Sequence, residues 1–154
     1  MQVVSASGST GDAAHVIDSV VARYPLILAD PDAASVPKSL RVTDQLVLVA
    51  PASEDAATSL AMTLEWLEAH GYGPLAEAAI IVLNGVSSPT SQHAAKAAAV
   101  ASGRCRAIVR VPWDERLRGP AAQPLGSSTV RAFTALAGVA VAALADRTAR
   151  GGAG

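Results

Sequence analysis

Polar side chains follow the apolar runs of this 154-residue chain at the points where those runs end. Asp30 ends one run, Asn84 follows a second, and Asp114 lies just beyond a third. A carboxylate can hold a metal ion through water, and an amide offers a donor and an acceptor to the edge of a base. In open α/β sheets, ligands bind outside the carboxyl ends of the strands. The sequence therefore predicts a crevice where an acid and an amide face one ligand.

Short apolar runs bounded by proline or glycine predict the strands that position these side chains. Such runs are typical of strands buried on both faces, which belong to parallel sheets. Strands and helices alternate along the chain, which favours parallel pairing through right-handed crossovers. We expect an α/β fold, a three-layer sandwich with a mainly parallel sheet of about five strands: 2–6, 26–30, 46–50, 79–83 and 106–111.

Apolar residues at helical spacing predict the helices between these strands. The expected helices cover about 12–22, 53–70 and 91–101, and a last helix begins near Ser127 or Ser128. The longest apolar stretch, 132–145, lies in this last helix, and because fourteen residues are too few to span a bilayer, we interpret it as buried. The residues expected to face inward are Val130, Phe133, Ala137, Ala140 and Leu144.

Composition limits the classes of protein that this chain can represent. Hydrophobic residues make up 51% and charged residues 16%, which predicts one folded domain over 1–149 with a flexible tail at 150–154. The single cysteine, Cys105, excludes an internal disulfide and a cysteine zinc cluster, as is typical of a reducing cytoplasm. The first twenty residues lack the pattern of a signal peptide. We therefore expect a cytoplasmic protein with no transmembrane segment.

Several catalytic and phosphate-binding motifs are absent from the sequence. No G-x-x-x-x-G-K-[ST] loop occurs, and the segment Ser7–Gly11 is interpreted as a plain loop because it lacks a lysine. No G-x-S-x-G occurs either. The three histidines, His15, His70 and His93, have no acidic or cysteine partner at ligand spacing. No catalytic residue is therefore assigned.

Asp30 is followed along the chain by three further segments, each an apolar run that ends in polar residues or proline: Asp44–Pro51, Ile80–Val86 and Val111–Asp114. Over about residues 17–147, their order and spacing resemble the carboxyl-terminal two thirds of a MinD/ParA-type P-loop ATPase. The resemblance implies a P-loop NTPase-like fold that binds ATP and magnesium and forms a dimer around nucleotide. It also implies a role in chromosome partitioning, septum placement (cell division) or secretion. Because the family's lysine-bearing glycine loop is missing, we expect a shortened or degenerate copy that does not hydrolyse ATP by itself.

The resemblance implies roles for four residues. Asp30 takes the place of the Walker B acid that holds magnesium through water, and Asn84 takes the place of an asparagine that contacts adenine. Pro112 and Asp114 belong to the loop that closes over the base and ribose. Simpler alternatives stay open: Asp30 caps its loop or meets an arginine, Asn84 begins a type I′ turn, and Trp113 covers the edge of the sheet.

A protein-interaction role on the same scaffold is the rival interpretation. A sheet without its first β-α unit exposes strand edges and apolar surface, which predicts self-association or a protein partner at the missing-strand edge. A receiver domain is disfavoured because the acidic pair and the lysine that it requires are absent.

Arginine residues concentrate near the third of these segments and suggest a DNA-facing patch. The formal net charge of −1 and the lack of interleaved aromatic residues disfavour DNA as a partner. The alternative is a solvated rim of the sheet. The five arginines, half of the ten in the chain, are Arg104, Arg106, Arg110, Arg116 and Arg118.

Overall fold

The computed structural model describes residues 27–118 and 123–151. The chain divides into two compact units, Met1–Thr43 and Asp44–Gly154. In the first unit, an irregular segment leads into the short helix α1, Val36–Leu40. The strand predicted for 2–6, the loop 7–11 and the helix 12–22 lie outside the described residues.

The segment that ends in Asp30 is irregular rather than a strand. Residues 27–32 carry no strand pairing, Leu28 is 86% exposed, and Asp30 is exposed as well. The prediction of a buried strand over 26–30 is therefore wrong for the described residues 27–30. Apolar composition predicts burial, but a strand also needs a hydrogen-bonded neighbour, and composition does not supply one.

The second unit contains a parallel sheet with the order β1-β2-β3, in which Val47 lies opposite Ile80 and Val82 opposite Val109. The α/β class and the parallel pairing are confirmed, with three strands in the part of the chain that the structure describes. The elements are β1 (Val47–Pro51), α2 (Ala56–Ala69), α3 (Gly73–Glu77), β2 (Ile80–Val86), α4 (Ser91–Ala101), β3 (Ala107–Pro112), a 3₁₀ turn (Glu115–Arg118) and α5 (Ser127–Gly151).

Helices α2 and α4 cover one face of the sheet. The side chains of Leu60, Leu64 and Leu67 repeat at helical spacing along α2 and are buried. On α4 the buried residues are all alanines, which allow the two helices to approach each other closely. The central strand β2 begins with four consecutive buried residues, as expected for a strand covered on both faces.

Helix α5 covers the other face, where it packs against Ile80, Val82, Val109 and Val111. The predicted inward face of this helix is wrong by about one position. Ala140 does contact the core and Leu144 is half-buried, but Val130, Phe133 and Ala137 are exposed. The residues turned toward the sheet are Thr129, Ala132, Leu136, Val139, Ala140 and Ala143.

The composition of α5 explains the error. Apolar residues lie on most sides of this helix, so spacing alone does not identify which stripe is buried. The helix is 25 residues long, and its segment Ser127–Asp146 is long and apolar enough to cross a membrane by length and composition. Only 11% of its most apolar window is buried, so the predicted burial holds for the side that packs against the sheet and not for the whole circumference of the helix. Core helices of soluble proteins pass the same test, and the absence of a membrane span stays a prediction.

Candidate functional site

Asn84 lies at the carboxyl edge of the sheet, at the end of the central strand. Its Cα partners are Pro51 on β1 and Val111 on β3, so the three strands end side by side. The N–H of Ala52 donates a hydrogen bond to the carbonyl oxygen of Asn84 at 2.8 Å, which ties the chain after β1 to this position. The Asn84 residue itself is exposed. The backbone therefore holds Asn84 in place while its amide faces solvent.

A β-bulge follows Asn84. The register between β2 and β3 shifts between Asn84 and Val86, and Gly85 has a φ of 77°. No described residue other than glycine has a positive φ, so Asn84 does not begin a type I′ turn, which requires positive φ at both central positions. Bulges at strand ends redirect side chains and end the pairing. The tight-turn alternative is thereby excluded.

Trp113 packs beside this bulge. Its N–H donates to the Val86 carbonyl oxygen at 2.8 Å, and a Cβ on Gly85 would lie 3.5 Å from Trp113 Cε3. The guanidinium of Arg118 lies 5.3 Å from the centroid of the Trp113 ring, within the range of a cation–π interaction. Trp113 nevertheless stays 52% exposed. The tryptophan covers part of the sheet edge and still presents aromatic surface to solvent.

The Asp114 carboxylate contacts the first turn of α5. Its Oδ2 accepts hydrogen bonds from the N–H of Gly126 and from Thr129 Oγ1, both at 2.8 Å. Its Oδ1 accepts a third from the N–H of Arg116 at 3.1 Å. These bonds, led by that from Gly126, hold the pKa of Asp114 below its usual value. The carboxylate also lies where the dipole of α5 favours negative charge.

An open cleft of about 730 Å³ lies between the loop after β3 and the start of α5. Its lining mixes an aromatic ring, both signs of charge, an amide and hydroxyl groups. Pro112, at the end of β3 opposite Val86, is half-buried next to it. The lining residues are Trp113, Asp114, Glu115, Arg116, Gln123, Gly126, Ser128 and Thr129.

The structure brings together three of the four predicted site residues. Asn84, Pro112 and Asp114 all lie at or just beyond the strand ends of the second unit. Asp30 belongs to the first unit, and its approach to Asn84 stays a prediction. Sequence reasoning missed the contact of Trp113 with Gly85 and the hydroxyl of Thr129. The position of Thr129 in the first turn of the last helix is the sequence feature that could have indicated its contact with a carboxylate.

The polar groups at this edge of the sheet differ in the kind of ligand that their chemistry suits. Over 27–118 and 123–151, no group of three or more histidine, cysteine, aspartate or glutamate side chains could hold a metal ion. Magnesium usually takes one or two carboxylates from the protein and completes its shell with phosphate oxygens and water. Asp30 could therefore supply only part of such a shell, and phosphate and water would supply the rest. An exposed amide offers a donor and an acceptor, and the exposed part of the Trp113 ring, beside Gly85, offers a face on which a base can stack.

Comparisons with protein-family profiles, with curated proteins and with solved structures found no match to this chain.

Proposed function

We propose that this chain is a MinD/ParA-like nucleotide-binding domain, shortened or degenerate, that binds the adenine of ATP at the carboxyl edge of its sheet. The observation that supports it is the exposed Asn84 at the end of the central strand, followed by Gly85, beside which the half-exposed Trp113 lies. The amide can pair with the donor and the acceptor on adenine, and stacking on an aromatic ring contributes about 1–3 kcal/mol per base. Pro112 adds an apolar wall to the same edge.

ATP binding without useful hydrolysis is the expected activity. Phosphoryl transfer depends on positioning and on stabilisation of charge, and the sequence contains no lysine-bearing glycine loop to provide them. In this proposal Asp30 holds magnesium through water, as the resemblance implies. Asp114 orients the loop after β3 through its bonds to α5, and its own contact with the ligand stays a prediction. The process served is partitioning, septum placement or secretion, in the cytoplasm.

The test is thermal unfolding with ATP, with GTP and with inorganic triphosphate, each with and without magnesium. ATP should raise the melting temperature because it binds only the native state, and triphosphate should not. Asn84→Leu should abolish the ATP shift and leave the melting temperature of the free protein nearly unchanged, since the side chain is exposed. Gln92→Leu, which removes another exposed amide from α4, is the matched control.

No shift at millimolar ATP, or a shift that Asn84→Leu leaves intact, would contradict base binding at this edge. An equal shift with inorganic triphosphate would assign the binding energy to phosphate instead.

The second candidate is a non-catalytic protein-interaction module. The observation that favours it is the apolar surface of β1, where Val49 is 64% exposed. Among the described residues, β1 and β3 each pair with a strand on one side only, so a partner or a second copy could add a strand at either edge. Association in size-exclusion chromatography without any ATP-dependent thermal shift would favour this candidate.

A further inference from the structure

The orientation of the Trp113 ring at the edge of the sheet depends on the loop after β3. The backbone N–H of Trp113 donates to the Val86 carbonyl oxygen at 2.8 Å, and the ring lies beside Gly85. The guanidinium of Arg118, 5.3 Å from the centroid of the ring, belongs to the same loop and moves with it. Whatever fixes this loop therefore also fixes the half-exposed ring.

The Asp114 carboxylate anchors this loop to the start of α5. Its Oδ2 accepts from the N–H of Gly126 and from Thr129 Oγ1, groups that lie 12 and 15 residues away along the chain. A hydrogen bond to an ionised group is about twice as strong as one between neutral groups. Because Asp114 directly follows Trp113, these two bonds restrict the backbone that carries the ring.

The hydroxyl of Thr129 stands at a position that packing alone would give to an apolar residue. Among the side chains whose burial the structure describes, Thr129 is the one polar residue that is buried, at 1% exposure. It precedes Ala132, which packs against the sheet, by three residues on the same side of α5. A buried hydroxyl costs free energy unless it is hydrogen-bonded. The bond to Asp114 is therefore what threonine provides here and an apolar residue would not.

Gly126 allows the carboxylate to come close to the start of the helix. A Cβ at this position would lie 3.1 Å from Asp114 Oδ2 and 3.8 Å from Thr129 Oγ1. The first distance is tighter than an ordinary van der Waals contact, so a side chain at position 126 would displace the carboxylate from its donors. Glycine and threonine thus shape the start of α5 to the Asp114 carboxylate.

We propose that Thr129 is a positioning residue of the nucleotide site: its hydroxyl fixes the Asp114 carboxylate, and Asp114 in turn holds Trp113 where a base can stack on it. This role rests on the proposed function, since it concerns the same edge of the sheet. Thr129 is buried, so it acts through the loop and not by touching the ligand. Loss of its hydroxyl should change the surroundings of the Trp113 ring and weaken ATP binding together.

The fluorescence of Trp113 tests the first step without any ligand. The chain has two tryptophans, so Trp66→Phe leaves Trp113 as the only one. In this background, Thr129→Val should shift the emission to longer wavelength and increase quenching by acrylamide, because a loosened loop exposes the ring. Thr129→Ser, which keeps the hydroxyl, should restore both readings. Thr134→Val is the matched control, because the Thr134 hydroxyl donates to the Val130 carbonyl oxygen within α5 and not to the loop.

Isothermal titration calorimetry with ATP and magnesium tests the second step in the full chain. Thr129→Val should raise the dissociation constant of ATP about two- to tenfold, because the loosened ring must be ordered when the base binds. Thr129→Ser and Thr134→Val should keep the wild-type value. Circular dichroism and urea unfolding of each variant check the fold, and valine should fold because it replaces a buried hydroxyl with an apolar group of similar shape.

Two results would overturn the role of Thr129 and leave the proposed function intact. The first is a wild type that binds ATP and a Thr129→Val variant that binds it equally well. The second is a Trp113 emission that Thr129→Val leaves unchanged, even where the variant is less stable, which would assign Thr129 to stability alone. A wild type that binds no ATP would instead overturn the proposed function and the role of Thr129 with it.

Discussion

A single carboxylate, that of Asp114, connects the loop after β3 to the start of α5. It accepts hydrogen bonds from Gly126 and Thr129 across the intervening chain and from Arg116 within its own loop. Thr129 is almost completely buried, and its hydroxyl finds its acceptor in this carboxylate. These bonds lower the pKa of Asp114. They also provide an acceptor for the buried hydroxyl of Thr129 and for the Gly126 N–H at the start of α5.

Asp114→Asn should lower the melting temperature at neutral pH, because the amide loses the charge that these donors favour. The folded-state pKa of Asp114 is depressed, so its contribution is complete above its unfolded pKa of about 3.9 and is lost as pH falls through the folded value. The difference between wild type and Asp114→Asn should therefore shrink below about pH 4 in thermal unfolding followed by circular dichroism. Glu115→Gln, at the neighbouring exposed position, is the control. A difference that does not depend on pH would contradict this role.

The elements of the second unit are held by apolar contacts on both faces of β2. On one face, Leu64 of α2 is completely buried, and the alanines of α4 let that helix pack closely. On the other face, α5 contributes Leu136 and Val139 to the cluster around Val82. The sheet is therefore the central layer, and each helix is stabilised by the face that it buries.

Leu64→Ala should lower the free energy of unfolding by about 2–5 kcal/mol, because it leaves a cavity in a packed core. Met62→Ala, on the exposed side of the same helix, should change it by less than about 0.5 kcal/mol. Urea unfolding gives both values, provided that the slope with denaturant is the same. Equal losses in the two variants would show that α2 does not pack as described.

At the scale of the whole molecule, three of the five arginines of the arginine-rich region contact side chains on other parts of the fold or in the neighbouring loop. Arg104 pairs with Glu68 at 3.0 Å, Arg106 pairs with Asp146, and Arg118 lies against Trp113. These contacts lie on different elements, so the positive charges are spread over separate surfaces. The formal net charge of −1 also provides no general attraction to a polyanion.

We expect binding to duplex DNA at physiological salt to be weaker than typical nonspecific binding, with a dissociation constant above about 10⁻⁴ M. Fluorescence anisotropy with a labelled duplex, measured over a series of salt concentrations, provides this value. Tight binding with a steep dependence on salt, reduced by Arg110→Ala and Arg116→Ala, would contradict the expectation and restore the DNA-facing interpretation.

The sequence by itself determined the α/β alternation of the second unit and the positions of its main elements. The runs near 46–50, 79–83 and 106–111 predict β1, β2 and β3 because proline, glycine and polar residues bound them sharply. The edge position of Asn84 follows in turn, since parallel strands end at one side of a sheet. These properties depend on local patterns, and local patterns can be read along the chain.

Only the tertiary structure decided which side of α5 is buried, what Asp114 contacts, and that residues 27–30 form no strand. Each of these depends on partners far away in the sequence. An almost uniformly apolar helix has no preferred face until a sheet is packed against it, and a carboxylate accepts from whichever donors the fold brings near. An apolar run becomes a strand only when a neighbour provides its hydrogen bonds, and the run itself does not encode that neighbour.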